Sequence, residues 1–167
     1  EEALLEINNS NGPLSKLFDS ANHKKNIGNM ILFAFAGHDT TGHTLTWLIF
    51  ELCKNQSWQR KLQREVDAFW REQGQREIDM KDFRRLPFMT RCIMETLRLH
   101  TPVPNGSFRE LIKDEYIHGK KGMVFVPKGT YVQLFNYSRH LNKELWGVDA
   151  GDFNPNRDFS GNELWNG

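Results

Sequence analysis

The segment Ala36-Gly37-His38-Asp39-Thr40-Thr41-Gly42 sets groups able to move protons inside an apolar stretch. A Thr hydroxyl both donates and accepts hydrogen bonds, and a carboxylate can carry protons in from water. Phe33, Gly37, Thr40, Thr41 and Thr44 recur at steps of three and four, which places them on one face of a helix. Gly37 lets a flat or bulky ligand come close to the backbone. Thr40 lies one turn away, and Asp39 is adjacent to it. The set suits a group that is bound against a helix and protonated there. The same residues are poor choices for a helix interior. Each glycine costs about 1 kcal/mol against alanine, Asp and Thr compete for backbone hydrogen bonds, and a buried Asp needs a partner or a purpose. A kinked core helix with a satisfied polar pocket accounts for these residues without any ligand.

A phosphate-binding loop is a rival from another class. Gly37 and Gly42 stand five apart after the apolar run 30–36, and Thr44 follows correctly. His43 occupies the place where such a loop needs Lys, and Asp39 would repel phosphate. His38 and His43 are five apart, so they diverge around a helix and make a poor metal pair. Further along, Glu95 and Arg98 are three apart and share a helical face. Taken alone they read as a surface ion pair worth well under about 1 kcal/mol, with Arg91 as a second partner for Glu95 on the exposed side. Cys53 and Cys92 cannot build a disulfide framework or a four-cysteine zinc site.

The positioning elements follow from periodicity. Residues 26–54 are apolar on all sides and predict one long buried helix, about 40 Å at 1.5 Å per residue. Residues 56–73 predict an amphipathic helix with Trp58, Leu62, Val66 and Phe69 on one stripe and Gly74 as its stop. Asp79 caps a short helix to Leu86, and Pro87 opens another that ends near Leu99, before Pro102 and Pro104. Then the pattern changes. Glu110–Ile112, Glu115–Ile117, Met123–Val126 and Thr130–Leu134 are short strand candidates punctuated by Gly119, Gly122 and Pro127-Lys128-Gly129. Asn136–Leu141 predicts a helical turn, and the chain after Trp146 has little periodicity. The fold class is α+β, mostly α, with one small antiparallel sheet. The expected organisation is a polar linker over 1–25, a helical part over 26–106, a sheet and short helix over 107–141, and an irregular stretch over 142–167.

Composition excludes other classes. The chain has 167 residues, with 22 Lys+Arg against 21 Asp+Glu, so no basic footprint for nucleic acid emerges. The longest apolar run, Met30 to Ala36, is too short to span a bilayer. The 12 Phe and 5 Trp predict a packed core. Glu1 is not Met and no signal segment follows, so the chain reads as an internal fragment.

Taken together, these segments resemble the cytochrome P450 monooxygenases over about residues 25–160. Ala36-Gly37-His38-Asp39-Thr40-Thr41 is similar to the family's oxygen-activation motif, and Glu95-Thr96-Leu97-Arg98 to its Glu-x-x-Arg helix. Leu99-His100-Thr101-Pro102-Val103-Pro104 continues as the family does, with Thr101 where Pro is common. Ser138-Arg139-His140 and Leu145-Trp146-Gly147 follow in order. Asp152-Phe153-Asn154-Pro155-Asn156-Arg157 is similar to the Phe-x-Pro-x-Arg stretch, with Asn156 where Glu is usual and Asp158 before the expected Phe.

The resemblance implies a haem cofactor under Phe33, Gly37, Thr40 and Thr41. It implies Thr40 as the alcohol that hydrogen-bonds the oxygen and Asp39 as the carrier of protons. Gly37, Thr41 and Arg109 become cofactor-binding, with Arg109 on a propionate. Phe33, Ala36, Asn105 and Gly106 become substrate contacts. Glu95, Arg98 and Arg157 become a buried structural charge network. The implied activity inserts one atom of O2 into a lipophilic, fatty-acid-like substrate, with electrons from NADPH through a flavin reductase. The implied location is the cytosolic face of the endoplasmic reticulum membrane, through an N-terminal anchor outside these residues. The cysteine-bearing haem loop is expected beyond Gly167, so neither Cys53 nor Cys92 is expected to ligate iron. A non-catalytic truncated fragment without haem is the alternative for this polypeptide.

Overall fold

The computed structural model describes residues 23–74 and 76–159. The linker expected over 1–25 lies outside the described residues up to 22, and 23–25 are already helical. Helix α1 runs His23–Lys54 and α2 runs Gln56–Gln73. Gly74 adopts φ 65°, which ends α2 at a residue without a Cβ. A 3₁₀ turn covers Met80–Arg85, and its entry is held by the Asp79 N–H donating to Asp82 Oδ2 at 2.8 Å. Pro87 occupies the first position of α3, Pro87–Leu99.

The single small sheet expected from the sequence is instead two two-stranded antiparallel sheets. Strand β1, Ser107–Glu110, pairs with β4, Tyr131–Leu134. Strands β2, Glu115–Gly119, and β3, Gly122–Val126, form a hairpin inserted between them in sequence. The first strand begins three residues earlier than predicted. The Gly106 N–H donates to the Val103 carbonyl at 3.0 Å, so the chain turns there and becomes extended at Ser107. Beyond Glu110, Leu111 exchanges backbone bonds with Thr130 and Gly129, and Ile112–Asp114 bend into the hairpin. Short helices α4, Asn136–His140, and α5, Lys143–Trp146, follow. The second was not predicted, because four residues are too few to show a period.

The described residues divide into two compact units at His43 and Thr44, with α1 running through the division. In the first unit α1 is exposed: Ile31 is 64% and Phe35 66% accessible. The buried helix expected from its apolar residues is therefore not observed over 27–35. Among the described residues, no other element belongs to that unit. In the second unit, Leu48 of α1 packs with Phe88 and Cys92 of α3 and with Phe153, and Leu52, Trp58, Leu62, Ile93 and Leu99 surround them. A second cluster joins Trp146, Ala150 and Phe159 with Met94. The core thus sits on both sides of α3.

Gly106 is the tightest backbone position. At φ 64° a Cβ would stand 1.7 Å from the Leu134 carbonyl oxygen, whereas at Gly129, φ 81°, it would meet nothing. Gly106→Ala is expected to destabilise the fold by about 2–4 kcal/mol, strain and clash together. Gly129→Ala should cost only about 1–2 kcal/mol. Thermal melts of the two variants measure the difference, and equal shifts would remove the close approach as its cause.

Candidate functional site

Residues 36–42 stay helical throughout, with no break at Gly37 or Gly42. The run 30–36 before them is helix and not strand, so the strand–loop–helix order of a phosphate loop is absent. Thr40 Oγ1 donates to the Ala36 carbonyl at 2.8 Å, one turn back. That bond holds the hydroxyl against the helix and satisfies it locally. Asp39 and Thr41 are exposed and Thr40 is half-buried. The expectation of a buried Asp39 is corrected, since among the described residues no other element of its unit packs on this part of α1. A Cβ added at Gly37 would meet nothing, so this backbone lies open to an approaching group. Phe33, 51% accessible, and Ala36 are exposed on the same helix.

The second unit holds the charged centre. Glu95 and Arg98 are both fully buried, which corrects the reading of them as a surface pair. Arg98 meets Glu95 through two parallel bonds, Nε to Oε2 at 2.7 Å and Nη2 to Oε1 at 2.8 Å. Arg157 Nε donates to the same Oε1 at 2.9 Å, and so does the Asn154 N–H at 3.0 Å. The remaining guanidinium donors reach carbonyls. Arg98 Nη1 serves His140 and Ala150, each at 2.7 Å, and Nη2 serves Asp152 at 3.3 Å. Arg157 Nη1 donates to Trp146 O at 2.9 Å and to Asp149 Oδ1 at 3.0 Å, and its Nη2 to Asp149 O. The Trp146 ring lies 5.1 Å from the Arg98 guanidinium carbon. Arg91 is exposed.

Burial, ahead of any charge effect, holds the His140 imidazole below its ordinary range, so the ring next to Arg98 is neutral at pH 7. The hydrogen bond from Arg157 holds the Asp149 carboxyl below the usual carboxylate range. Cys92 is fully buried, and desolvation followed by the charge of Glu65 pushes its thiol up to about 12. Cys53 is exposed on α1.

Arg109 lies on β1 opposite Val132, with its side chain exposed and Nη1 donating to the Phe108 carbonyl at 2.8 Å. The Asn105 carbonyl accepts from Gln133 Nε2 at 2.9 Å, and Gly106 is pressed against the β4 backbone. The structure therefore joins Glu95, Arg98 and Arg157 in one cluster. Asp39, Thr40 and Gly37 lie together on α1, and Asn105, Gly106 and Arg109 follow one another along the turn into β1. Sequence reasoning missed Glu51, Glu65 and Asp149. Glu51 carried a signal, because it is a charge on the apolar part of the long helix.

The family model described as Cytochrome P450 matches residues 2–163. The chain belongs to the cytochrome P450 family. A rice relative, cytochrome P450 714C3 of Oryza sativa subsp. japonica, is 36% identical over 135 residues, which is 81% of this chain and 25% of that protein. The cytokinin hydroxylase of Arabidopsis thaliana is 35% identical over 138 residues, 81% of this chain and 24% of that protein. Among solved structures, the cytochrome P450 CYP102L1 superposes with a TM-score of 0.74 at 27% identity, covering 96% of this chain and 35% of that one. The chain spans about a quarter of the length of these curated relatives. Its helices and small sheets are a portion of the P450 fold.

P450 proteins imply haem, and the residues present fit part of its surroundings. The backbone at Gly37 is open to a flat group, and Arg109 is an exposed cation suited to a propionate. The iron ligand is a different matter. Cys92 is fully buried and packed among Leu48, Phe88 and Phe153, so its sulfur faces no open surface on which a haem could lie.

Two outcomes follow. At pH 8 a thiol-specific alkylating reagent should label Cys53 quickly and Cys92 only on unfolding, as peptide mass spectrometry would read. The charged centre should also show in acid. Above the ordinary carboxylate range the ionised Asp149 stabilises the fold, and that contribution is lost as pH falls through its lowered pKa. Asp149→Asn is therefore expected to flatten the fall in melting temperature between about pH 5 and pH 2.

Proposed function

We propose that these 167 residues are part of a haem-dependent monooxygenase that inserts one atom of O2 into a lipophilic substrate. The observation that carries this reading is the buried Glu95–Arg98–Arg157 cluster in a chain whose long helix bears Gly37, Asp39 and Thr40. The family match over residues 2–163 supports it.

When bound, the haem supplies the oxidising power of its iron. Gly37 and Thr41 would border the haem, and Arg109 would hold a propionate by charge-assisted hydrogen bonds. Thr40 keeps its hydroxyl on the Ala36 carbonyl and can turn it toward a ligand on the open face of α1. Asp39, exposed and adjacent, exchanges protons with water and passes them to that alcohol. Phe33 and Ala36 present apolar surface to the substrate, and Asn105 and Gly106 border it at the turn before β1. The apolar character of Phe33 and Ala36 supports a lipophilic, fatty-acid-like substrate.

Electrons come from NADPH through a flavin reductase, and the protein works on the cytosolic face of the endoplasmic reticulum, anchored by a segment outside these residues. Among the described residues, no helix is long and apolar enough to cross a membrane. The 167 residues form one partial domain in this reading. A second reading is that this polypeptide alone is a non-catalytic piece, and the burial of Cys92 among core side chains favours it.

Both readings can be measured. The 167-residue chain reconstituted with haem should give no carbon monoxide band of a thiolate-ligated iron, and such a band would sink the second reading. In a full-length protein carrying these residues, Thr40→Ala should divert reducing equivalents to peroxide and lower product yield about tenfold or more. Unchanged peroxide release and product per NADPH would count against the role of Thr40.

A further inference from the structure

Helix α3 carries Glu95 and Arg98, and both of its ends are held by carboxylates from other helices. At the N-terminus Pro87 has no N–H, so Phe88 and Met89 bear the first free backbone donors. Glu65 of α2 takes both, Phe88 N to Oε1 and Met89 N to Oε2, each at 2.8 Å. This carboxylate sits where the helix dipole favours negative charge. At the C-terminus His100 caps α3 through its N–H to the Thr96 carbonyl at 2.8 Å. Its ring Nε2 is 2.8 Å from Oε1 of Glu51 on α1, which is 4% exposed. Trp47 stacks on the imidazole, with centroids 4.0 Å apart and planes 6° apart. Lys54 approaches the other Glu51 oxygen at 3.8 Å.

We propose that Glu65 and Glu51 are positioning residues for α3: one carboxylate at each end sets the axial and rotational register that holds Arg98 on its carbonyl acceptors. The geometry is specific. A two-oxygen grip on consecutive N–H groups restrains rotation about the helix axis. A stacked, hydrogen-bonded imidazole restrains the far end against sliding. Arg98 has three carbonyl partners on segments 42 to 54 residues away, so a small turn of α3 would break several bonds together. Neither Glu touches the Glu95–Arg98–Arg157 centre.

The proposal rests on the P450 reading for its functional readout, and the experiment separates the two. In full-length protein carrying these residues, Glu65→Leu and Glu51→Leu are compared with Glu65→Gln and Glu51→Gln. Hydrogen exchange is followed at the Phe88 and Met89 amides, and the rate of haem transfer to an acceptor apoprotein is measured on the folded fraction. Glu65→Leu should speed exchange at those two amides about tenfold. Both Leu variants should release haem about tenfold faster, the lower end of what losing an outer hydrogen-bond partner costs at metal centres. Glu51→Gln, which keeps an acceptor for His100, should restore slow release. A role in stability alone would lower the melting temperature and leave haem release from folded protein unchanged, which overturns the proposal. Where a Leu variant does not fold, the Gln variants decide: Glu65→Gln keeps only one acceptor and should show intermediate exchange and release. A wild-type protein that takes up no haem overturns the haem-monooxygenase reading, and the amide exchange then tests the Glu65 grip by itself.

Discussion

The second unit depends on one buried carboxylate that pairs with two guanidinium groups. Each charge placed there would cost several kcal/mol unpaired. Glu95 avoids that cost through two bonds from Arg98, one from Arg157 and one from the Asn154 backbone. The arginines then use their remaining donors on carbonyls of His140, Trp146, Asp149, Ala150 and Asp152. Between 140 and 157 regular structure is limited to the end of α4 and to the single turn of α5. Five carbonyls of this stretch accept from the two guanidiniums. A largely irregular segment is held in place because its carbonyls solvate two charges.

Apolar and polar contacts from neighbouring elements of that unit hold α3 in place. Apolar residues pack on both of its sides, Leu48, Phe88 and Phe153 on one and Trp146 and Ala150 with Met94 on the other. Carboxylates of α1 and α2 meet its ends. Helix packing leaves freedom to slide and rotate, and directional hydrogen bonds remove it. The division of labour is between an apolar contribution that favours the compact state and polar contacts that select one arrangement within it.

The oxygen-motif segment presents the opposite case. Its residues break the rules of a buried helix, and the structure leaves them on an open helical face. Thr40 bonds its own helix, and Asp39 meets water. Such a face is chemically competent only when other surfaces enclose it, because proton delivery is selective where bulk water is excluded. The curated relatives are about three times as long as this chain.

Sequence alone determined the longer helices, because their apolar periods and their Gly and Pro stops are local properties, whereas the four-residue α5 carries no such period. It determined the hairpin as well, since Gly119 and Gly122 flank a two-residue turn. It also placed Glu95, Arg98 and Arg157 in one family pattern, although spacing by itself read the first two as a surface pair. What only the tertiary structure decided was which charges are buried and what they hold. Arg157 stands 62 residues from Glu95, and the carboxylates of Glu51 and Glu65 reach α3 across 49 and 23 residues. No local period records such distances. The split into two small sheets was likewise a matter of register between strands far apart, with β1 turning early at Gly106 because the β4 backbone lies against it.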